Sequence, residues 1–170
     1  MDIVDTQLHL GPGPVEPALE EMDALGIASV LIEEFWVGGQ GDGPHDALMP
    51  GYRLPGGAWR SVYPTALSAS LRYPDRFGYF VRLDRRDPGL ESHMRTIAAE
   101  PGARGFRVLA TWSADEAEAL ASGGYDALFD LAQDIGLPVC VFVPGHVELL
   151  PRYLGKYPRL QVVLDHLGIG

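Results

Sequence analysis

The chain has 170 residues, an apolar share of 46% and a charged share of 21%, which suits one globular domain with a sizeable core. Its formal net charge of −10, with no basic stripe, argues against nucleic acid or an anionic membrane surface as partner. The single cysteine, Cys140, excludes an intramolecular disulfide and a cysteine-based zinc site, and no run resembles a signal peptide or the ~20 apolar residues of a membrane span, so a cytoplasmic protein is expected.

Residues 3–10 read as a first strand. Ala18, Leu19, Met22 and Leu25 recur at helical spacing, and Gly26 stops that helix. Residues 29–32 form a second strand. A helix over 65–73 leads to a third strand at 77–83. Leu90, Met94 and Ile97 mark the next helix, and residues 105–109 the fourth strand. Leu128, Leu131, Ala132 and Ile135 predict a helix closed by Gly136, before a fifth strand at 139–143. Leu150, Leu154 and Tyr157 mark the last helix, and residues 160–164 the sixth strand. Pro74, Pro138 and Pro158 each stop a helix and open the following strand. Such alternation predicts a parallel sheet covered by helices, with strands two, five and six buried on both faces. One connection breaks the rhythm. Segment 34–58 is rich in Gly and Pro and follows the C-terminal end of strand two; it reads as a lid-like insertion anchored by Phe35, Trp36, Tyr52 and Trp59, or as a disordered insertion.

Side chains alternate along a strand, so Val4, Thr6, Leu8 and Leu10 share one face of strand one and Ile3, Asp5, Gln7 and His9 the other. A row of Asp, Gln and His facing inward is costly unless it lines a polar site, and it lies toward the C-terminal strand end, where barrel enzymes place their reactive groups. The other reading is that these groups bond to each other and cap the barrel. His166 closes strand six and gains weight from His9. Arg107, inside strand four, requires an anion: Asp5 or Glu33 in the protein, or a substrate carboxylate or oxyanion. Arg82 raises the same question. Of Glu33 and Glu34, one is expected to face the site and the other solvent. His146 reads as a helix-start residue, His45 and His93 as loop and surface histidines, and Cys140 as a small core residue.

Three stretches, in order, carry a family resemblance: Asp5-Thr6-Gln7-Leu8-His9-Leu10, Gly136-Leu137-Pro138-Val139, and Tyr157-Pro158-Arg159-Leu160 through Asp165-His166-Leu167-Gly168. The chain resembles the amidohydrolase-2 group of the amidohydrolase superfamily, which includes sugar lactonases, dicarboxylate lactonases and related decarboxylases. The resemblance implies a TIM-type (β/α) barrel and a hydrolase opening a lactone or related cyclic ester of a small carboxylated or sugar-derived molecule. Together with the strand positions, it makes His9, His166 and Arg107 the expected catalytic residues; Gln7, Arg107, Arg82, Glu33 and Trp36 are expected to bind substrate. The alternatives are a decarboxylase of the same group and a degenerate barrel acting only as an assembly partner.

Two departures accompany the resemblance. Gln7 stands where the group has the first histidine of a His-x-His pair, and Phe142 where metal-binding members have a strand-five histidine. A carboxamide is a poor zinc ligand, so the expectation is either no cofactor or a weakly held divalent metal, zinc first, on His9 and His166. A full (β/α)₈ barrel takes about 250 residues. A single partial barrel over residues 1–170 is therefore expected, with six parallel strands and the last two βα units missing. The family's strand-eight aspartate, its general base, is missing with them. A homo-oligomer or a further C-terminal segment would complete the barrel, and this segment alone is expected to be inactive.

Overall fold

A computed structural model describes residues 2–36 and 50–169. The strands and helices alternate as β1 (Ile3–Leu10), α1 (Glu16–Leu25), β2 (Ile27–Glu34), β3 (Gly51–Arg53), β4 (Trp59–Ser61), α2 (Pro64–Arg72), β5 (Phe77–Arg82), α3 (Leu90–Ala98), β6 (Ala103–Val108), α4 (Ala114–Ser122), α5 (Asp126–Ile135), β7 (Val139–Val141), α6 (Leu150–Lys156) and β8 (Val162–Leu164). Proline in the first turn begins α1, α2 and α6, where its missing N–H costs nothing. Gly26 and Gly136 end α1 and α5 with φ of 70° and 81°, a left-handed turn that a side chain would oppose.

The main sheet is parallel throughout, in the order β1-β2-β5-β6-β7-β8. One face packs under the helices: Val30, Ile32, Tyr79, Val81, Phe106, Val108, Val139 and Val141 meet Met94, Ile97, Leu128, Phe129 and Tyr153 in one core. Arg82, Arg107 and Cys140 are register partners on successive strands, so they share the opposite face. That face carries the polar groups discussed below.

Of the strands expected to be buried on both faces, β7 is buried throughout and β2 toward its C-terminal end. The sixth sequence strand is not: β8 lies at the edge of the sheet, and Val163 and Leu164 are exposed. β1 forms the other edge, with Ile3 and Val4 exposed. Two elements were absent from the sequence reading. Within the lid-like segment, residues 37–49 lie outside the described residues, while β3 and β4 beyond them pair as an antiparallel hairpin. Helix α4 was also unread, because Leu120 is its single buried residue and no apolar stripe marks it; Ser113 caps it by accepting from the Glu116 N–H at 3.3 Å. Among the described residues no helix is long and apolar enough to cross a membrane.

Candidate active site

The C-terminal ends of β1, β2, β6 and β8 bring Gln7, His9, Glu33, Arg107, Asp165 and His166 together. Asp165 is the centre. Its Oδ2 accepts from Arg107 Nε at 2.7 Å and lies 2.5 Å from Nη2. Its Oδ1 accepts from Gln7 Nε2 at 2.7 Å and lies 2.7 Å from His166 Nδ1. Burial pushes the Asp165 carboxyl upward, but the Arg107 charge and the bonds from Arg107, His166 and Gln7 outweigh it and hold the group below the usual carboxylate range. An ionised Asp165 can only accept, so His166 Nδ1 is the donor in this contact. The 3.2 Å approach of Gln7 Nε2 to Nδ1 then reflects two donors meeting on one oxygen.

Adjacent residues of a strand point to opposite faces, yet Asp165 and His166 meet. The backbone makes this possible: His166 and Leu167 have φ of 47° and 57°, and this kink swings the imidazole back beside the carboxylate. The Phe142 ring stands edge-on to His166 with centroids 5.6 Å apart. The residue found where a histidine was sought therefore walls the site.

Arg107 is buried beneath this pair, and Glu33 approaches it from the other side. Glu33 is in ion-pair contact with Arg107 Nη1, without the geometry of a hydrogen bond. Its other oxygen lies 3.3 Å from His9 Nδ1. Burial, together with the Arg107 and His166 charges, lowers the His9 pKa below its ordinary value of 6.5, against a smaller opposing effect of Asp165. The His9 and His166 rings stack 6.5 Å apart, and Phe35 tilts against His9 at 5.1 Å. The arrangement is thus a buried floor of Glu33, Arg107 and Asp165 under two accessible imidazoles, with side chains 37% and 46% exposed for His9 and His166.

The remaining sequence candidates fall elsewhere. Asp5 is exposed, and its Oδ1 accepts from the Gln7 backbone N–H at 3.0 Å; a register shift between Asp5 and Leu8 breaks the alternation that would have turned it inward. Glu34 does not face solvent. It is buried and accepts from Trp36 Nε1 at 2.8 Å and from Ala66 N–H at 2.9 Å, satisfying a free donor of the α2 N-terminus. Trp36 is thereby turned to Glu34. Arg82 lines a separate cavity at the β5 end. His146 lies 3.6 Å from Glu148, before a short turn at Val147–Leu149. His93 is half-buried, with Nε2 enclosed and lacking a hydrogen bond, so it is no surface histidine. His45 lies outside the described residues. Burial pushes the Cys140 thiol up to about 12, which leaves it inert at neutral pH.

The donors suit a divalent metal poorly. The two imidazoles are flanked by Glu33 and Asp165, but Arg107 contacts both carboxylates and supplies the balancing positive charge. Among the described residues no three His, Cys, Asp or Glu side chains could hold an ion.

The amidohydrolase family profile matches residues 4–170. Among solved structures, an uncharacterized TIM-barrel protein from Bordetella bronchiseptica is 18% identical, with a TM-score of 0.66 over 99% of this chain and 68% of its own. A 5-carboxyvanillate decarboxylase from Novosphingobium aromaticivorans, complexed with manganese and 4-hydroxy-3-methoxy-5-nitrobenzoic acid, is 14% identical, with a TM-score of 0.65 over 98% of this chain and 65% of its own. A 2,6-dihydroxybenzoate decarboxylase from Rhizobium is 14% identical, with a TM-score of 0.64 over 98% and 67%. This chain thus spans about two thirds of the length of each. No curated protein sequence matches it significantly. The shared fold makes the six-stranded sheet an incomplete TIM-type (β/α) barrel. With nearly its whole length matched, the chain belongs to the amidohydrolase family.

Proposed function

We propose that this protein hydrolyses a lactone or related cyclic ester of a small carboxylated or sugar-derived molecule. The Asp165–His166 pair carries this reading. His166 Nε2, its tautomer set by the 2.7 Å contact of Nδ1 with Asp165, takes a proton from water. The hydroxide oxygen bonds to the carbonyl carbon. The ring C–O bond then breaks, and the protonated imidazole returns its proton to the leaving alkoxide. His9, kept neutral, holds the same water from across the 6.5 Å gap. The Gln7 carboxamide and Arg107 are positioning residues: both bind the orienting carboxylate, and Arg107 holds it ionised. The sequence reading placed the base on a later strand and expected this segment alone to be inactive; the present proposal gives the role of base to His166, and the assay below decides between them.

A second reading is a decarboxylase, favoured by the names of two similar structures. The manganese present in one of them would act as a Lewis acid, a role for which the arginine-filled donor set here is ill suited.

The test is a lactone panel. Ring opening by the wild-type chain should fall about 10²- to 10⁴-fold in His166→Asn. Carbon dioxide release from aromatic acids, with no lactone opened, would establish the second reading; equal turnover by wild type and His166→Asn would remove the base.

A further inference from the structure

A row of rings crosses the mouth of the histidine site. Phe35 tilts against His9 at 5.1 Å, and the His9 and His166 rings stack at 6.5 Å. Phe142 meets His166 edge-on at 5.6 Å, and Trp112 tilts against Phe142 at 5.9 Å. These residues sit at or just beyond the C-terminal ends of β2, β1, β8, β7 and β6 in turn. The row therefore runs along the strand ends and steps from one edge of the sheet to the other between the two imidazoles.

Its far end is fastened. Phe142 N–H donates to the Val108 carbonyl at 2.9 Å, and Thr111 Oγ1 donates to the Phe142 carbonyl at 3.4 Å. Trp112 N–H donates to the Leu109 carbonyl at 3.3 Å. Gly145 N–H donates to the Gly168 carbonyl at 3.3 Å, which ties the segment after β7 to the kink that carries His166. The segments after β6, β7 and β8 thus hold the Phe142 and Trp112 rings in place beside that imidazole. The core does not absorb these rings: Phe142 is half-buried and Trp112 is 38% exposed. Phe142 screens the Asp165–His166 pair, and Trp112 extends the apolar surface beyond it. Covering such surface with a ligand is favourable, and another π system adds offset or edge-on ring contacts. A sugar ring would instead lay its hydroxyls against ring surface that returns few of their hydrogen bonds.

We propose that Phe142 and Trp112 are specificity-determining residues: they hold a planar, unsaturated ring joined to the ester of the substrate, which makes the substrate an aryl or similarly conjugated lactone. This deepens the lactone reading of the site and rests on it, favouring the planar carboxylated class over the sugar-derived one. In such a substrate water adds to the carbonyl carbon and the ring C–O bond breaks, leaving a carboxylic acid and a phenol or enol. Binding is measured apart from turnover, with lactams that keep the ring and resist opening. The whole chain is titrated calorimetrically with dihydroquinolinone, valerolactam and gluconolactam. Dihydroquinolinone should bind about tenfold or more tightly than either of the others. Phe142→Leu and Trp112→Leu should each shrink that preference about threefold or more, as loss of an aromatic contact does. Trp112 lies on an exposed loop, so its variant reports even where Phe142→Leu fails to fold. With dihydrocoumarin as substrate, both variants should raise KM with kcat held, because the ring contact is equal in the ground and transition states. Dihydroquinolinone preferred while dihydrocoumarin stays unopened would retire the hydrolysis and support the ring-binding wall. No preference for dihydroquinolinone, tighter binding of gluconolactam, or a preference unchanged in both variants would overturn the assignment.

Discussion

Arg107 and His9 show how far a single side chain can be read before its surroundings are known. Arg107 faced an internal pair or a substrate with equal claim from sequence; the structure surrounds it with Glu33 and Asp165. Removing it would leave both carboxylates enclosed without a counter-charge. Arg107→Met should therefore cost about 3–5 kcal/mol in denaturant unfolding, and adding Glu33→Gln and Asp165→Asn should recover part of the loss. His9 gives a pH signature. Its folded-state pKa lies below the 6.5 of the unfolded chain, so the unfolded state binds more protons within that window. Stability should be complete above about pH 6.5 and decline as pH falls from there through the folded value. In His9→Asn, urea midpoints measured from pH 7 downward should lose the upper part of that decline. Asp165 was the residue that sequence could not assign. It lies just past the sixth strand, and nothing in the letters signals a left-handed kink at the non-glycine residue that follows it.

Elements were legible where punctuation was strong. Proline before β5, β7 and β8 and glycine after α1 and α5 made the βα order readable, and the buried run of β7 followed from composition. The hairpin and α4 were not readable, because three-residue strands and a helix with one buried residue leave no periodic trace. Glycine inside β6 had a different purpose from glycine in turns. A Cβ at Gly105 would stand 2.6 Å from Phe80 Cε1 and 2.7 Å from the Pro138 carbonyl oxygen. That carbonyl accepts from Phe106 N–H at 2.9 Å and cannot retreat without loosening β7 from β6. Gly105→Ala should cost about 1–3 kcal/mol by chemical denaturation, although alanine ordinarily suits a strand better.

The whole molecule divides into a dense interior and two open margins. The helices seal one face of the sheet, while β1 and β8 end it with exposed apolar side chains. His166 belongs to the second margin, beyond the interior that resists melting. Its turn also stores energy: left-handed geometry at two consecutive side-chain-bearing residues costs about 1–2 kcal/mol each. Tension of this kind is released wherever the anchoring bond slips, and release rotates the imidazole off its carboxylate. Warming should accordingly silence the proposed hydrolysis before the chain unravels, with the midpoint of heat inactivation several degrees below the circular-dichroism transition, and cooling should bring that activity back without any refolding phase.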